Sequence, residues 1–548
     1  MKTIRTLMAG VALAALAHAP AQAFCGFYAG RADANLFNEA SQVVLVRDGN
    51  RTVLSTLNDY KGPLTEFALV VPTPTTLQKG QVRIADKLTF ERLDAYSSPR
   101  LAEYRDTDPC QLNFGWGLQP IASFTDVQAI RMLSGVAQTS ASNQALGVTV
   151  EVQYTLGEYD IVSLSATQSD GLETWLRENG YSIPKGASAA LKPYINQGMK
   201  FFVAKVNLQE QAKTGYTALR PLQFAFESEK FMLPLRLGML NAAPDKAQDL
   251  IVYALTRQGR VESSNYRTVK LPANQNLPFF TKPAFQDFYK ALFDHQASKE
   301  QQRVVFTEYF WDMGWCDPCA ADPLSAQELR NAGVFWVAGD ADAQFEAMRA
   351  PAGTPVPKIM LPPGGGGAQP VVLTRLHVRY TANTFPEDLM FSQTRDRENW
   401  QTRYVIQQPF DSSPSACSNK MAQTDCEALC KQRITEIPMP RPGSYDYGNN
   451  PYYRLKSPAE LQGECVAACT TSKQSALQAA STYYQQSLPA RLQTEKQTLA
   501  DLTGWSTARI EQMPDARKYS AQDNREPVAP AQPAKTWWER LFSFNQLR

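Results

Sequence analysis

The residues of this chain best suited to a chemical reaction lie at positions 315–319, which read Trp-Cys-Asp-Pro-Cys. Two residues separate the cysteines, a spacing that lets one thiol attack a disulfide and the other resolve the mixed disulfide. The chemistry that this spacing predicts is thiol–disulfide exchange, with Cys316 as the nucleophile and Cys319 as the resolving thiol.

The residues after this motif favour a structural role instead. In thioredoxins, whose Trp-Cys-x-Pro-Cys site the pattern resembles, the first cysteine lies at a helix N-terminus, where the dipole lowers the pKa of the thiol. Here Ser325 and Glu328 are spaced as a capping box, so we predict that the helix begins near Ser325. Cys316 and Cys319 then precede the helix, and the charge of Asp317 disfavours a thiolate. A structural disulfide or a pair of loop thiols is the preferred interpretation, and a redox site and a metal site are the alternatives.

Four cysteines near the C-terminus are spaced for a helical hairpin. Cys426 and Cys430 are four positions apart, as are Cys465 and Cys469, so each pair lies on one face of a helix. The sequence Ser457-Pro458-Ala459-Glu460 predicts the start of the second helix. Two antiparallel helices would join Cys426 to Cys469 and Cys430 to Cys465 and so stabilise a region with little core of its own. A four-thiolate zinc site is the alternative, although this spacing is less usual for zinc.

The remaining cysteines give a weaker pattern. We expect Cys25 to pair with Cys110 in the N-terminal part of the chain, because both are remote in sequence from the other cysteines. Nine cysteines cannot all pair, so Cys417 is the odd one. It is either free or a competitor for Cys316 or Cys319.

We predict that residues 1–23 are a secretory signal peptide. Lys2 and Arg5 give a basic start, residues 7–17 form an apolar run, and an Ala-x-Ala site predicts cleavage after Ala23. The run is too short to span a bilayer. The mature chain is therefore expected in the periplasm or outside the cell, without a transmembrane segment, in a compartment that favours disulfides.

The charge balance gives no sign of a nucleic-acid or anionic-membrane partner. The chain has 55 basic and 53 acidic residues, and cleavage of the signal peptide removes Lys2 and Arg5, which leaves 53 of each sign. A neutral chain without a basic stripe does not indicate a nucleic-acid-binding protein or one held at an anionic membrane.

Few other residues suggest catalysis. Only His295 and His377 follow the signal peptide, and two distant histidines cannot form a usual metal cluster. We expect His295 to satisfy a helix C-terminus, and His377 to alternate with Arg375 and Arg379 on a solvated face of a strand. The glycine run at 364–367 lacks a following Gly-Lys-Ser/Thr and predicts a linker rather than a phosphate loop. No metal and no other cofactor is predicted.

The elements that must position these residues indicate an α+β fold. Hairpin patterns, such as the one around Asp48-Gly49-Asn50, are mixed with capped helices and do not alternate regularly with them. We predict an antiparallel-sheet-rich region over residues 24–410, divisible into two subdomains at a linker near 351–370. A helical, disulfide-stapled region follows over residues 411–517.

Residues 518–548 are expected to combine a disordered Pro/Ala linker with a short amphipathic helix. The apolar residues of that helix are Trp537, Trp538, Leu541 and Phe542. Docking on the protein itself is the preferred interpretation, and peripheral contact with a partner or a membrane surface is the alternative.

Several unusual segments occur in the same order as in one bacterial family. They are Phe24-Cys25-Gly26-Phe27-Tyr28, Asn58-Asp59-Tyr60-Lys61-Gly62-Pro63, Asp108-Pro109-Cys110, Leu235-Arg236-Leu237-Gly238-Met239 and Leu376-His377-Val378-Arg379-Tyr380. Over about residues 24–410 the chain resembles the exported family catalogued as domain of unknown function 2330. The resemblance implies an exported bacterial protein of unassigned biochemistry, and it supplies no catalytic residues.

The sequence therefore favours a non-enzymatic envelope or secreted protein that binds an unidentified protein or envelope partner, or has a structural role. The alternative is a thiol–disulfide oxidoreductase that uses Cys316 and Cys319.

Overall fold

The computed structural model describes residues 27–29, 37–61, 68–113, 143–145, 147–179, 186–214, 219–241, 247–315, 323–337, 345–346, 348–349, 369–436 and 457–519. Contacts divide the chain into two compact units. The first comprises Met1–Arg100, Thr125–Asn274 and Phe293–Arg403, and the second comprises Leu101–Phe124, Gln275–Leu292 and Tyr404–Arg548. The helical region expected from residue 411 thus belongs to a unit that also takes in two stretches from earlier in the chain.

The strands are β1 Phe27–Ala29, β2 Phe37–Asp48, β3 Arg51–Lys61, β4 Ala68–Thr73, β5 Val82–Ile84, β6 Arg100–Arg105, β7 Asn143–Ala145, β8 Val148–Leu156, β9 Tyr159–Ala166, β10 Lys200–Val206, β11 Leu222–Glu227, β12 Met232–Leu233, β13 Gln248–Thr256, β14 Val261–Ser263, β15 Arg267–Lys270, β16 Gln275–Leu277, β17 Val304–Asp312, β18 Val372–Tyr380, β19 Leu389–Gln393, β20 Trp400–Gln401 and β21 Arg403–Gln408.

The α-helices are α1 Lys87–Ser97, α2 Ser169–Glu178, α3 Ala187–Asn196, α4 Leu208–Thr214, α5 Phe285–Lys299, α6 Ala326–Asn331, α7 Pro414–Gln423, α8 Cys426–Glu436, α9 Pro458–Thr482, α10 Leu488–Thr503 and α11 Thr507–Glu511. Every strand described here precedes α7, and the described residues after it form helices and turns. The predicted α+β class, with a sheet-rich N-terminal part and a helical, disulfide-bonded C-terminal part, is confirmed.

A nine-stranded sheet forms the centre of the first unit. Eight strands follow the order β15-β17-β18-β13-β2-β3-β11-β5, and β20 pairs with β17. Most neighbours are antiparallel, but β13 is parallel to β2 and β15 is parallel to β17. The β2–β3 hairpin turns at Gly49, whose φ of 56° would strain a residue with a side chain. The hairpin predicted around Asp48-Gly49-Asn50 is therefore confirmed.

A six-stranded antiparallel sheet, ordered β1-β4-β10-β9-β8-β7, packs against one face of the larger sheet. Val43 and Leu45 of β2 share a buried core with Val71 of β4 and Phe202 of β10. Phe202 also meets Phe224 of the larger sheet edge to face, with ring centroids 4.8 Å apart. Burial of an aromatic side chain stabilises the fold by up to about 3 kcal/mol, so this intersheet core is a major source of stability.

Helices cover the outer faces of both sheets. Successive side chains of a strand point to opposite faces, and Val44 therefore enters a second core with Phe90 of α1 and Leu329 of α6. On the far side of the smaller sheet, Leu172 of α2 and Leu191 of α3 belong to a third core. The first unit thus has four layers in the order helix, sheet, sheet, helix.

The second unit combines a three-stranded sheet, β16-β21-β6, with the helical C-terminal region. Helix α9 packs against α7 and α8. A π-helical turn at Tyr483–Ser487 then connects α9 to α10. Pro489 lies in the first turn of α10, and its ring and missing N–H cannot enter a continuous α-helical ladder, which accounts for the wider turn.

None of the helices in the described ranges is both long enough and apolar enough to cross a lipid bilayer.

Candidate functional site

The structure describes the helix that follows the Trp-Cys-Asp-Pro-Cys motif. The Oγ of Ser325 accepts a hydrogen bond from the backbone N–H of Glu328 at 3.2 Å, and the Glu328 carboxylate accepts one from the Ser325 N–H at 2.7 Å. The predicted capping box is therefore confirmed, and the partial positive charge of this helix N-terminus is directed at Ser325. Cys316 and Cys319 lie outside the described residues, so the preferred structural role and the redox alternative both stay predictions.

Other expectations also fall outside the described residues. They concern Cys25, the cleavage after Ala23, and the aromatic segment that contains Trp537, Trp538, Leu541 and Phe542. Each of them stays a prediction.

Three disulfides connect every cysteine in the described part of the chain. Cys426 pairs with Cys469 and Cys430 with Cys465, each with a Cα–Cα distance of 5.8 Å. These are the two linkages that the helical hairpin predicts. They join α8 to α9, which begins at the expected Ser457 capping box. All four thiols are used in disulfides, so they are not zinc ligands in this structure.

Cys110 pairs with Cys417, with a Cα–Cα distance of 5.7 Å, and not with the expected Cys25. The reason lies in side-chain contacts that sequence spacing does not encode. The Lys420 ammonium of α7 donates to the Asp108 carboxylate at 2.8 Å and to the carbonyl oxygen of Cys110 at 3.1 Å. These contacts bring the chain after β6 to α7, so the distance of 307 residues along the chain does not keep the two cysteines apart.

The expectation that Arg375, His377 and Arg379 form a solvated face is wrong. All three lie on β18, an interior strand of the nine-stranded sheet, and Arg375 is only 6% exposed and His377 only 8%. The face that carries them is covered by other elements of the first unit, including residues of α1 and the end of α5. Alternation along a strand shows that these residues share a face, but it does not show what covers that face.

These basic residues form a buried ion-pair cluster with two carboxylates. Glu308, which has no exposed surface, accepts a hydrogen bond from Arg375 Nε at 2.5 Å and lies 2.6 Å from His377 Nδ1. Asp249 accepts two hydrogen bonds from the Arg379 guanidinium, each 2.7 Å long. His377 lies between the two carboxylates, with its Nε2 3.6 Å from Asp249 Oδ1.

Further contacts enclose the cluster. The ring of Phe293 stacks on His377 with centroids 3.6 Å apart, and Arg375 Nη1 donates to the Asp94 carboxylate of α1 at 2.6 Å. Glu308 is therefore engaged on both of its oxygens inside the sheet, an arrangement that holds strands together. One sequence signal could have revealed it, since Glu308 is a charged residue inside the apolar run of β17.

We expect this cluster to make stability depend on pH above neutrality. Burial alone lowers the pKa of His377, but the carboxylates of Glu308 and Asp249 outweigh it and hold that pKa above its usual 6.5. Because the folded-state pKa is raised, the stabilisation is complete below pH 6.5 and is lost as the pH rises through the folded-state value. His377→Gln is expected to reduce the fall in the free energy of unfolding between about pH 6 and about pH 9, measured by urea denaturation.

His295→Gln is the matched control. Burial and Lys299 lower the pKa of His295, so its contribution to stability has the opposite sign and increases with pH. The His295→Gln variant is expected to show the same fall in the free energy of unfolding between about pH 6 and about pH 9 as the unmodified protein. If the free energy of unfolding of His377→Gln falls as much over this pH range, the fall does not arise from the buried ion-pair cluster.

A cavity of about 300 Å³ lies at one end of the core between the two sheets of the first unit. Its apolar lining residues come from four separate stretches of the chain and are Leu54, Pro72, Pro74, Met199, Phe226, Met232 and Pro234. The charged residues Glu227, Glu229 and Lys230 also line it, and all three are exposed. A mostly apolar concave surface with a few polar groups is typical of ligand sites.

Polar contacts hold the walls of this cavity in place. Lys230 Nζ donates to Gln197 Oε1 at 2.7 Å. This contact connects the segment just before β12 to the residue that follows α3. The buried Arg47 guanidinium donates to Thr52 Oγ1 at 2.7 Å and lies 5.3 Å from the centroid of the Phe231 ring. Sequence reasoning missed this site, because no local motif marks residues that meet only when two sheets pack.

The described residues contain no group of three or more His, Cys, Asp or Glu side chains arranged to hold a metal ion.

Comparison with known proteins gives one relationship. No curated protein and no solved structure matches the chain. A family described as an uncharacterized protein conserved in bacteria, DUF2330, matches residues 19–392, which is more than half of the 548 residues. The chain belongs to this bacterial family, the domain of unknown function 2330.

Proposed function

We propose that this protein is exported, with its signal peptide removed after Ala23, and acts as a non-enzymatic binding protein in the periplasm or outside the cell. Three disulfides support an oxidising compartment, because such bonds persist mainly in exported proteins. We further propose that residues 24–410 provide the binding surface and that the stapled region at 411–517 contributes stability.

The observation that carries the binding role is the cavity at the end of the intersheet core. Its volume of about 300 Å³ and its apolar walls suit a compact apolar group, such as an aromatic ring, presented by an envelope or extracellular partner. The buried ion-pair cluster supports the same role, since Glu308 and Asp249 are engaged in ion pairs that hold strands together.

We expect 2-phenylethanol to bind in this cavity. Met199 and Met232 line it, so their methyl signals are expected to shift saturably when methionine-methyl-labelled protein is titrated with the probe and followed by NMR. Met232→Trp places a larger side chain in the cavity and is expected to abolish the shift of the Met199 signal.

Met239→Trp is the matched control, because Met239 packs against the same core but does not line the cavity. It is expected to leave the Met199 shift unchanged. A titration in which neither Met199 nor Met232 responds would contradict the proposed binding site.

The competing proposal of thiol–disulfide exchange rests on residues 315–319 of the sequence. Mapping of each cysteine by alkylation, combined with intact mass before and after reduction, separates the two functions. An easily reduced Cys316–Cys319 bond with an acidic thiol would replace the binding role by the redox role, and a resistant bond would remove the redox role.

A further inference from the structure

A second cluster of ionisable groups lies in the unit that contains the helical C-terminal region. The carboxylate of Asp106, directly after β6, accepts hydrogen bonds from Arg491 Nη1 at 3.0 Å and Nη2 at 2.9 Å. Gln407 Nε2 donates to it at 2.9 Å, and the Tyr483 hydroxyl also donates to it. These contacts connect β6 to the π-helical turn and to α10.

Glu495 lies one helical turn after Arg491 and has no comparable partner. It is only 2% exposed, and neither of its carboxyl oxygens takes part in a hydrogen bond. Arg491 Nε is 3.5 Å from Glu495 Oε1, within ion-pair distance, but it also makes no hydrogen bond. The two Nη groups of this guanidinium donate to Asp106, and Nη2 also donates to the Gln407 carbonyl oxygen at 3.4 Å, so Arg491 hydrogen-bonds only one of its two acidic neighbours.

The charged groups that act on Glu495 are Arg491 and Asp106, and the Tyr483 hydroxyl donates to Asp106. Arg491 lies on α10 itself, Asp106 follows β6, and Tyr483 belongs to the π-helical turn. Strand β16 contributes only Gln275, Asn276 and Leu277. The remaining groups are engaged elsewhere: Lys496 pairs with Glu511 at 2.6 Å, and Arg509 lies over the Trp505 ring.

One guanidinium therefore serves a buried acid, Glu495, and a partly buried acid, Asp106. Burial raises the pKa of Glu495 to about 7, with Arg491 lowering it and Asp106 raising it. Burial also tends to raise the pKa of Asp106, but the hydrogen bonds from Arg491, Tyr483 and Gln407 outweigh it and lower that pKa. Below neutrality the lowest-energy arrangement has a neutral Glu495 and an ionised Asp106.

We propose that Asp106 and Glu495 compete for the guanidinium of Arg491, and that loss of the Glu495 proton to solvent shifts this competition and loosens α10 from the end of β6. An ionised, buried Glu495 without hydrogen bonds is costly. To bring Arg491 Nε from 3.5 Å into hydrogen-bond distance of Glu495, the guanidinium must shift, although its two Nη groups hold Asp106. We place this adjustment at the π-helical turn that contains Tyr483, since π turns inside helices are frequent at functional positions.

The direction of the pH effect follows from the raised pKa. The contribution of Glu495 is complete below its ordinary pKa of 4.5 and is lost as the pH rises through about 7. We therefore expect the full-length protein to lose hydrogen-exchange protection in residues 483–503 by about tenfold between about pH 5 and about pH 8.5, after correction for the intrinsic exchange rate.

Two variants test this competition by the same measurement. Glu495→Gln cannot ionise and is expected to keep its protection across the range. Asp106→Asn removes the competing carboxylate, so Arg491 becomes available to Glu495 and the midpoint of the transition is expected to move to lower pH. Glu427→Gln is the control, since Glu427 is an exposed residue of α8, and it is expected to behave like the unmodified protein.

Two results would overturn the proposal. One is a transition that persists in Glu495→Gln, and the other is a folded Asp106→Asn whose midpoint equals that of the unmodified protein. If Asp106→Asn does not fold, the comparison of Glu495→Gln with Glu427→Gln decides alone.

Discussion

Glu308→Ala is expected to lower the free energy of unfolding by about 3–5 kcal/mol, because it removes one partner of a buried ion pair. Glu308 has no exposed surface and engages Arg375 at 2.5 Å and His377 at 2.6 Å. Without it, Arg375 keeps its contact with Asp94, but its Nε loses the carboxylate inside the sheet. Urea denaturation followed by circular dichroism measures the change.

Two further variants separate the cause of this loss. Glu178→Ala replaces an exposed glutamate at the end of α2 and is expected to change stability by less than about 0.5 kcal/mol. The double variant Glu308→Leu, Arg375→Met removes both charges and is expected to recover part of the loss, because Arg375 is then not left as a buried charge that lacks the Glu308 carboxylate. Equal losses in Glu308→Ala and Glu178→Ala would show that the cluster does not stabilise the sheet.

The double variant Cys110→Ser, Cys417→Ser is expected to lose about 5 kcal/mol of stability, because the Cys110–Cys417 bond restricts an unfolded loop far longer than those of the other bonds. It spans 307 residues, against 43 for the Cys426–Cys469 bond. The entropic cost of closing a loop rises with loop length, and a disulfide stabilises the fold mainly because it lowers the entropy of the unfolded chain. Thermal unfolding under non-reducing conditions measures the loss.

The double variant Cys426→Ser, Cys469→Ser is the matched comparison. It removes a disulfide from the same unit, but the Cys430–Cys465 bond still closes almost the same loop. Its loss is therefore expected to be clearly smaller than that of the Cys110 and Cys417 variant. The opposite order would mean that contacts in the folded state outweigh loop entropy.

Local patterns predicted the features that depend on a few neighbouring residues. The cysteines four apart in α8 and α9 share a helix face whatever surrounds them, and the capping boxes at Ser325 and Ser457 satisfy N–H groups of their own helices. The turn at Gly49 depends on one backbone angle. Their physical determinants lie within one turn of helix or one hairpin, so the sequence was sufficient to identify them.

Features that depend on contact between distant segments could not be predicted in this way. The pairing of Cys110 with Cys417 requires the chain after β6 to meet α7, and the burial of His377 requires a covering layer over β18. The cavity beside Met199 and the buried Glu495 carboxyl group, whose oxygens make no hydrogen bond, arise from packing as well. In each case the residue type was visible in the chain, but its neighbours were not.

The sequence by itself determined the α+β class, the capped helices, the helical cysteine hairpin and the resemblance to a bacterial family. Only the tertiary structure decided which acids and bases became buried partners and where an open cavity remained. The physical reason is the distance along the chain over which each effect acts. Backbone periodicity and capping act over a few residues, whereas burial and ion pairing depend on which faces of distant elements come together.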